Sequence, residues 1–249
     1  MNVHIKTSEE IQVMREGAKI LKLAHDAVRG VAKEGVSLLE LDKVAEKIIR
    51  SAGAVPSFKG FQGFPATLCT MINSEVVHGI PDHRKLKKGD LLSIDCGVKY
   101  KGFHTDAAFS IIVGGDAQNP VRAKFSRCVR SALLAGCQAA RAGATIGDIG
   151  YAIEQVVRKG GYSICKEYTG HGFGRELHED PHVYNYGRRG EGDKLIAGMT
   201  IAIEPIVTSG SPRVRTLADG WTVVTLDGRD ACQWEHCGVV TEDGFEIFV

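Results

Sequence analysis

The sequence has neither a long apolar run nor an excess of charge of one sign. Its 31 basic and 30 acidic residues give a formal net charge of +1, and no dense block of Lys and Arg stands out. A basic patch is the electrostatic mark of nucleic-acid binding, so no nucleic-acid partner is indicated. No segment is apolar enough to span a bilayer, and the polar start lacks the regions of a secretory signal, so we expect no membrane partner.

Cysteine pairs with metal-binding or redox spacing are also missing. The seven cysteines are odd in number and scattered, and none forms a C-x-x-C pair. We therefore expect reduced cysteines and a cytoplasmic location. The 249 residues, 43% of them hydrophobic, suffice for a single domain over residues 1–249, with internal halves of about 1–115 and 116–249.

One pattern occurs twice in the chain. Residues 35–53 match residues 143–161 in register: each stretch has a hydroxyl residue suited to a helix N-cap, apolar residues at helical spacing and a glycine at its end. Residues 89–98 and 198–207 then align as apolar strands, each with an acidic residue in the same slot. Coincidence between two common helix-then-strand patterns is the alternative. The repeat favours an α+β fold of two halves related by a pseudo-two-fold axis.

Two further helices are predicted outside the repeat. A capping box at Thr7 and Glu10 begins a helix over about residues 7–30, and residues 120–142 form its counterpart in the second half. The sequence contains no low-complexity tract or obvious linker. We therefore expect the two halves to share one core and to bring their acidic strands face to face.

Two aspartates lie in a predicted β-hairpin. In SIDCGVKYKGFHTDAAF, apolar strands flank a polar turn, and with the turn centred at Tyr100-Lys101 the side chains of Asp95 and Asp106 form a direct cross-strand pair. Like charges in contact are destabilising, so the pair favours a bound cation. A solvated sheet face is the alternative.

The second half adds two glutamates and two histidines. Glu204 interrupts the apolar run TIAIEPIV, where the proline after it limits strand pairing. Glu235 lies on the return strand of a hairpin that is predicted to turn at Asp227-Gly228. His171 lies among glycines, with His178 seven residues later; taken alone, either histidine is more often structural, and Glu235 fits the surface equally well. One imidazole with four carboxylates suits two adjacent divalent ions, which activate water in many hydrolases.

A competing motif overlaps this segment. Residues 178–182, His-Glu-Asp-Pro-His, satisfy the H-E-x-x-H pattern of single-zinc peptidases, which requires both histidines on one helix face. Pro181 cannot donate a helical hydrogen bond, and the preceding glycines oppose a helix. We interpret the match as accidental.

Taken together, the candidate ligands resemble the two-metal site of type I methionine aminopeptidases. The resemblance covers nearly the whole chain and includes the stretches NSEVVHGIPD, GFHTDAAF, GHGFGRELHEDP, IAIEPIV and WEHCGVV. It implies the pita-bread fold and a hydrolase that removes the N-terminal methionine from nascent proteins, with a preference for a small uncharged second residue. The positions that match in order and spacing are Asp95, Asp106, His171, Glu204 and Glu235.

The same resemblance implies a role for each ligand. Asp95, Asp106 and Glu235 are expected to hold a first metal ion. A second ion is expected to be held by Asp106, His171, Glu204 and Glu235, so that Asp106 and Glu235 bridge the pair. We expect a metal-bridging hydroxide to attack the carbonyl of the first residue, Glu204 to handle the proton, and the substrate amine to bind near the second metal. The ions are Co, Mn, Fe or Zn, and the sequence leaves their identity in the cell open.

Substrate contacts are also implied by the resemblance. His78 and His178 are expected to contact substrate and to stabilise the tetrahedral intermediate. The methionine pocket is an apolar and aromatic set, although core packing is the alternative for each member: Phe61, Phe64, Cys69, Leu177 and Trp221. Three departures from the family pattern, at Thr105, Leu177 and Phe64, leave pocket shape and fine specificity open.

Two other functions are alternatives for this sequence. A proline-directed aminopeptidase or prolidase shares the fold but usually carries an additional N-terminal domain, for which we expect no room in this chain. A catalytically inactive peptide-binding module is disfavoured because all five ligands are present. The expected partner is the N-terminal Met of nascent polypeptides. Because the family acts on nascent chains, contact with the ribosome is also suggested, although no segment of the sequence identifies a docking surface. We expect a monomer.

Overall fold

The computed structural model describes residues 3–249, which form helices packed on four antiparallel sheets. The helices are α1 (Ser8–Val31), α2 (Leu38–Ser51), α3 (Pro120–Ala139) and α4 (Ile146–Lys159). The strands are β1 (Val55–Pro56), β2 (Leu68–Ile72), β3 (Leu91–Tyr100), β4 (Phe103–Ile112), β5 (Ser163–Ile164), β6 (Gly170–Gly172), β7 (Glu179–Val183), β8 (Thr200–Ile203), β9 (Ile206–Thr208), β10 (Val214–Thr216), β11 (Val223–Thr225), β12 (Ala231–Gln233), β13 (His236–Val240) and β14 (Phe245–Ile247). Within this described part of the chain, no helix is both long and apolar enough for a membrane crossing.

The predicted repeat is visible in the caps of α2 and α4. The Ser37 hydroxyl accepts a hydrogen bond from the Glu40 N–H at 3.3 Å, and the Glu40 carboxylate accepts one from the Ser37 N–H at 2.8 Å. Thr145 and Asp148 make the same two contacts, at 3.3 and 2.8 Å. Each reciprocal cap satisfies N–H groups that the first helical turn leaves unpaired, and removing one costs about 1 kcal/mol.

The two helices outside the repeat also begin where predicted. The α1 helix starts at the Thr7 capping box, and α3 starts with Pro120 in its first turn after Asn119, whose side chain accepts a hydrogen bond from the Arg122 N–H. The α3 helix ends three residues before the predicted end, because Ala140 is already extended (φ −78°, ψ 116°).

The β3–β4 hairpin forms, but its predicted register is wrong. Its two-residue turn is centred at Lys101 and Gly102, with φ values of 46° and 88°, one residue later than predicted. A turn with two positive φ angles favours glycine, which explains the shift. Asp95 consequently pairs with Ala108, while Asp106 pairs with Gly97. The two carboxylates are diagonal neighbours on one face of the sheet rather than a direct pair.

The matching hairpin of the second half is broken in both strands. The β8 strand pairs with β13, and β9 pairs with β12, so the break lies between Ile203 and Ile206 on one side and between Gln233 and His236 on the other. The register is the same before and after the break. Glu204 and Glu235 therefore face each other within it.

The predicted hairpin that turns at Asp227-Gly228 is wrong. The strand before this turn, β11, pairs with β10, and the strand after it, β12, pairs with β9. The Asp227 carboxylate accepts hydrogen bonds from the N–H groups of Ser211 at 2.7 Å and Arg229 at 3.1 Å. These contacts close a tight turn that sends β11 and β12 to different sheets.

Each half buries its own apolar cluster between its helix pair and its sheet. In the first half, β1 and β2 both pair with one edge of β3 and β4 pairs with the other. The second half contains a five-stranded sheet of order β14-β13-β8-β6-β7 and a three-stranded sheet of order β12-β9-β5. Trp234, in the break between β12 and β13, packs against the apolar clusters of both halves.

Candidate metal centre

The five predicted ligands converge where the two halves meet. Asp95 lies on β3, Asp106 on β4 and His171 on β6, whereas Glu204 and Glu235 lie in the break of the second hairpin. Together they line one side of a cavity of about 580 Å³. All the other predicted site residues line the same cavity: Phe61, Phe64, Cys69, His78, Leu177, His178 and Trp221.

The ligand atoms are close enough to share cations. His171 Nε2 lies 3.6 Å from Asp106 Oδ2 and 3.7 Å from Glu204 Oε1. Asp106, His171 and Glu235 each offer one ligand atom, and these atoms all lie within 4.8 Å of one another. An ion about 2 Å from each ligand atom fits between donors with such separations.

The imidazole of His171 is oriented for metal binding. Its Nδ1 lies 2.8 Å from the Gly172 carbonyl oxygen, which can only accept, so Nδ1 carries the proton and Nε2 presents its lone pair to the carboxylates. Burial lowers the pKa of His171 to about 4, so the ring is neutral at neutral pH. A neutral ring with a fixed tautomer is the form that binds a divalent cation.

Without a cation, the four buried carboxylates are poorly solvated and repel one another. Burial raises the pKa of Asp106 to about 7, and burial followed by repulsion from neighbouring carboxylates raises the pKa of Asp95, Glu204 and Glu235 well above the usual range. One oxygen each of Asp95, Asp106 and Glu235 is buried with no hydrogen-bond partner. Unpaired buried carboxylates are costly, so the donor set fits divalent cations.

The break in the second hairpin redirects backbone groups to hold the site. The Glu235 N–H donates a hydrogen bond to the Ala108 carbonyl of β4 at 2.9 Å, which ties the second half to the first. The Glu204 carbonyl accepts one from the Asn185 side chain at 3.0 Å, and Pro205 has no N–H to satisfy. The backbone on both sides of each glutamate is therefore fixed although neither residue lies in a ladder.

Two polar residues that line the cavity, Gln233 and Glu179, are not among the residues that the sequence predicts for the site. Gln233 is buried and donates a hydrogen bond from Nε2 to Glu204 Oε2 at 3.3 Å. Its spacing of two from Glu235 within a predicted strand was an available signal, since alternate residues share a face. Glu179 lines the cavity and pairs with the buried Lys6 at 2.5 Å. No local pattern reveals that pair, because 173 positions separate its members.

The two predicted substrate-binding histidines lie beside the ligands. The His178 ring is 4.4 Å from the His171 ring and 5.3 Å from the Phe61 ring, and burial lowers the His178 pKa to about 4. His78 adopts a left-handed backbone conformation, with φ 58°, and burial lowers its pKa as well. Such a conformation is costly for a residue with a side chain and is frequent at functional sites.

The predicted methionine pocket is one apolar cluster at the end of the cavity. Phe64, Cys69 and Leu177 are buried in it, Phe61 and Trp221 pack against it, and sequence analysis missed the further members Phe58, Ala66, Met71 and Ile80. Phe64 and Trp221 meet edge to face with ring centroids 5.1 Å apart. Thr105, one of the three departures, lies instead against Gly17 of α1 and does not line this cavity.

The H-E-x-x-H segment forms a strand, as its proline and glycines indicated. Residues Glu179–Val183 are β7, which pairs with β6 so that His182 lies opposite His171. The interpretation that this segment is not a helical single-zinc motif is confirmed.

Comparison with known proteins supports the fold and a metal-dependent reaction. The sequence pattern of metallopeptidase family M24 matches residues 12–242. The chain therefore belongs to metallopeptidase family M24, a class of metal-dependent hydrolases, and the predicted pita-bread fold is confirmed.

Within that family, the full-length similarity is to methionine aminopeptidases. Methionine aminopeptidase 1 of Bacillus subtilis is 43% identical over 242 residues, which cover 97% of each chain. The crystal structure of a methionine aminopeptidase from Thermotoga maritima gives a TM-score of 0.96 at 38% identity, covering 99% of this chain and 98% of that chain. A prolidase from Pyrococcus horikoshii, at 24% identity and a TM-score of 0.78, covers 98% of this chain but 62% of its own and shows the shared fold alone.

Proposed function

We propose that this metallopeptidase is a methionine aminopeptidase, which hydrolyses the first peptide bond of polypeptides that begin with Met and have a small uncharged second residue. One observation carries this proposal: an apolar pocket and a cluster of buried carboxylates with unpaired oxygens lie side by side in one cavity. The pocket suits a flexible thioether side chain. Sequence identities of 43% and 38%, over nearly the full length, to relatives named methionine aminopeptidase support the same conclusion.

The donor set accounts for two metal positions. Asp95, Asp106 and Glu235 would hold one divalent ion, and Asp106, His171, Glu204 and Glu235 the other, with Co, Mn, Fe or Zn as the ion. When bound, such ions lower the pKa of water and polarise the scissile carbonyl. The orphaned oxygens of Asp95, Asp106 and Glu235 support this assignment, because each would gain a partner.

The chain's own residues supply the acid-base chemistry. Burial and neighbouring carboxylates raise the Glu204 pKa well above its ordinary value, so this carboxylate can accept a proton from the attacking water and give it to the leaving amine. Gln233 holds Glu204 in place through its hydrogen bond. Neutral His78 and His178 can each donate a hydrogen bond to the substrate carbonyl as negative charge develops on it.

The same geometry explains an enzyme that acts only at a free amino terminus. Phe64, Cys69 and Leu177 close the apolar end of the cavity, so the pocket takes one side chain and leaves the amine of that residue next to the carboxylates. The free amine is anchored beside the carboxylate cluster, and an acetyl group would remove that contact. We further propose that residues 1–249 act as a single catalytic domain on nascent chains in the cytoplasm, as a monomer, in contact with the ribosome.

A panel of three peptides tests this function. With saturating Co²⁺ or Mn²⁺, methionine release should be fast from Met-Ala-Ser, slow from Met-Lys-Ser and absent from N-acetyl-Met-Ala-Ser. Equal turnover of the acetylated peptide contradicts the amine anchor, and equal turnover of Met-Lys-Ser contradicts the proposed second-residue preference. Cleavage of Ala-Pro-Ser instead of Met-Ala-Ser would favour the proline-directed alternative.

A further inference from the structure

The cavity that holds the candidate site has a closed end and an exposed rim. Phe64, Cys69 and Leu177 close the apolar end. On one side of the rim, Glu167 and His182 line the cavity and are exposed to solvent. A polypeptide whose first side chain fills the closed end has to leave over the rim, because its second and later residues find no space beyond the pocket.

A second cavity continues from this side of the rim. It has a volume of about 360 Å³ and lies between the start of α4 and the segment that follows β7. His182 lines both cavities, and it lies opposite His171 in the β6–β7 register. The two cavities therefore adjoin at His182, one strand away from a candidate metal ligand.

Aromatic rings follow one another from the first cavity into the second. The ring centroids of His182 and Tyr184 are 6.2 Å apart, and those of Tyr184 and Tyr186 are 5.7 Å apart. Strand β7 ends at Val183, and the chain bends at residues 185 and 186, so the three rings are placed along the cavities by their contacts and not by a continuous strand. The Lys166 ammonium group lies 4.7 Å from the centre of the Tyr186 ring, at the far end of this row.

The backbone that carries these rings is held rigidly against α4. Asn185 is fully buried and donates its side-chain hydrogen bond to the Glu204 carbonyl. A Cβ at Gly150 would lie 2.3 Å from the Tyr186 carbonyl oxygen and 2.7 Å from that of Tyr184, so only glycine permits this approach. Because those carbonyls face the helix, a ligand meets the rings of the row rather than a free strand edge.

We propose that the row of His182, Tyr184 and Tyr186 is an extended binding site for the substrate polypeptide downstream of its second residue. The inference rests on the proposed aminopeptidase function, since the occupant is the remainder of the same substrate chain. Flat aromatic rings can contact the main chain and many kinds of side chain. The site therefore accepts substrates of different sequence and favours longer polypeptides. It distinguishes a polypeptide substrate from a dipeptide or a tripeptide.

A ratio of two substrates tests the proposal. The quantity is kcat/KM for Met-Ala-Ser-Ala-Ser-Ala divided by kcat/KM for Met-Ala-Ser, both as C-terminal amides so that the terminal charge does not differ. For the metal-loaded protein we expect a ratio of about tenfold, and for Tyr184→Ala a ratio lower by about fivefold, from loss of ring contacts. A general disturbance of the fold would lower both values and leave the ratio unchanged.

Two matched variants serve as controls. Tyr184→Phe keeps the ring and should keep the ratio. Leu134→Ala removes an apolar side chain of similar exposure, 38% against 42% for Tyr184, on the remote helix α3, and should also keep the ratio. A wild-type ratio near one, with both peptides cleaved, overturns the extended site alone. Failure to cleave either peptide overturns the proposed function as well.

A second readout does not depend on turnover. A non-hydrolysable analogue of Met-Ala-Ser-Ala-Bpa-Ala, in which the first peptide bond is reduced and Bpa is benzoylphenylalanine, is photolysed with the metal-loaded protein, and the cross-linked fragment is identified by mass spectrometry. We expect labelling of residues 180–188. Labelling confined to residues 213–227, around β10 and β11, would place the downstream chain elsewhere and overturn the proposal.

Discussion

Two hairpins, one in each half, carry four of the five candidate ligands, and they differ in continuity. The β3–β4 hairpin pairs without interruption from Leu91 to Tyr100, whereas the second-half hairpin is split into β8–β13 and β9–β12. The unbroken hairpin offers two aspartates as diagonal neighbours. The broken hairpin offers two longer glutamates that face each other inside the break.

The break in the second hairpin frees backbone groups that can then bind other parts of the molecule. In the unbroken hairpin the ladder occupies the backbone groups on the facing edges of β3 and β4, while the outer edge of β4 still offers the Ala108 carbonyl. In the broken hairpin the Glu235 N–H is free to bond Ala108 of the other half, and the Glu204 carbonyl is free to bond Asn185. The break thus joins the halves and also connects the metal centre to the segment after β7.

The largest expected effect comes from a substitution inside the break. Glu204→Gln removes a proposed proton carrier and metal ligand, and we expect kcat to fall about a thousandfold. Gln233→Ala, which removes only the hydrogen bond to Glu204, should cost about 10- to 100-fold. Stopped peptide assays on the metal-loaded proteins check both values. A Glu204→Gln enzyme with more than a tenth of wild-type kcat would contradict the role given to the break.

A smaller effect is expected where the amino-terminal segment is tied to the site. Lys6 is buried and pairs with Glu179, which lines the cavity beside His178. Lys6→Met leaves the carboxylate without its partner, and because Glu179 is partly exposed we expect a loss of about 2 kcal/mol of unfolding free energy. KM should rise more than kcat falls, as the pair positions His178 and Leu177. Lys6→Arg, which keeps the charge, should retain most of the stability. Denaturant unfolding and steady-state kinetics provide the measurements.

His25, a buried histidine of the first half, should affect stability but not catalysis. His25 packs edge to face on Phe109 of β4, and burial together with the charge of Arg29 lowers its pKa to about 3. Because the folded pKa lies below the unfolded value of about 6.5, the folded state is favoured above pH 6.5 and loses stability as pH falls towards 3.

The substitution His25→Leu isolates the contribution of His25 to the pH dependence of the unfolding free energy. Between pH 6.5 and 5, His25 should cost the protein about 1.5 kcal/mol, and His25→Leu should lack that part of the loss. Asp26, the Ala107 backbone and His236 also influence His25 and are present in both proteins, so the difference between the two pH curves reports His25 itself. Parallel curves would contradict a buried neutral ring. Activity at pH 7.5 should match that of the wild type.

The smallest effects should be equal in the two halves. Ser37→Ala and Thr145→Ala each remove the hydroxyl of a capping box, and each should lower the unfolding free energy by about 1 kcal/mol. Ser37→Asp and Thr145→Asp should restore it. Urea titrations measure all four variants, and a cost confined to one half would break the structural equivalence of α2 and α4.

Local chemistry explains what the sequence predicted correctly. The caps at Thr7, Ser37 and Thr145 lie within three residues of their partners, and the proline after Glu204 marks the break by itself. Glu204 stands out because a carboxylate inside an apolar strand is unusual, whereas the full set of five candidate ligands is implied by the family resemblance.

Non-local contacts explain what the sequence did not predict. The pairing of β12 with β9 depends on strands that are far apart in the chain, and the ion pair of Lys6 with Glu179 joins distant segments. The hairpin turn lies one residue later than predicted, which shifts each cross-strand partner by two residues, because Lys101 and Gly102 take the left-handed turn conformation. A turn is chosen by small backbone preferences that compete over neighbouring positions.

We propose that carboxylates from both hairpins form one metal-dependent hydrolytic site. The most direct measurement is methionine release from Met-Ala-Ser while Co²⁺ or Mn²⁺ is titrated into metal-stripped protein, with circular dichroism confirming the fold at each step. We predict no release without metal and full activity as the site is filled, with Asp95→Asn and Glu204→Gln both inactive. Activity that is independent of metal, or a folded protein that binds metal and never releases methionine, would contradict the account.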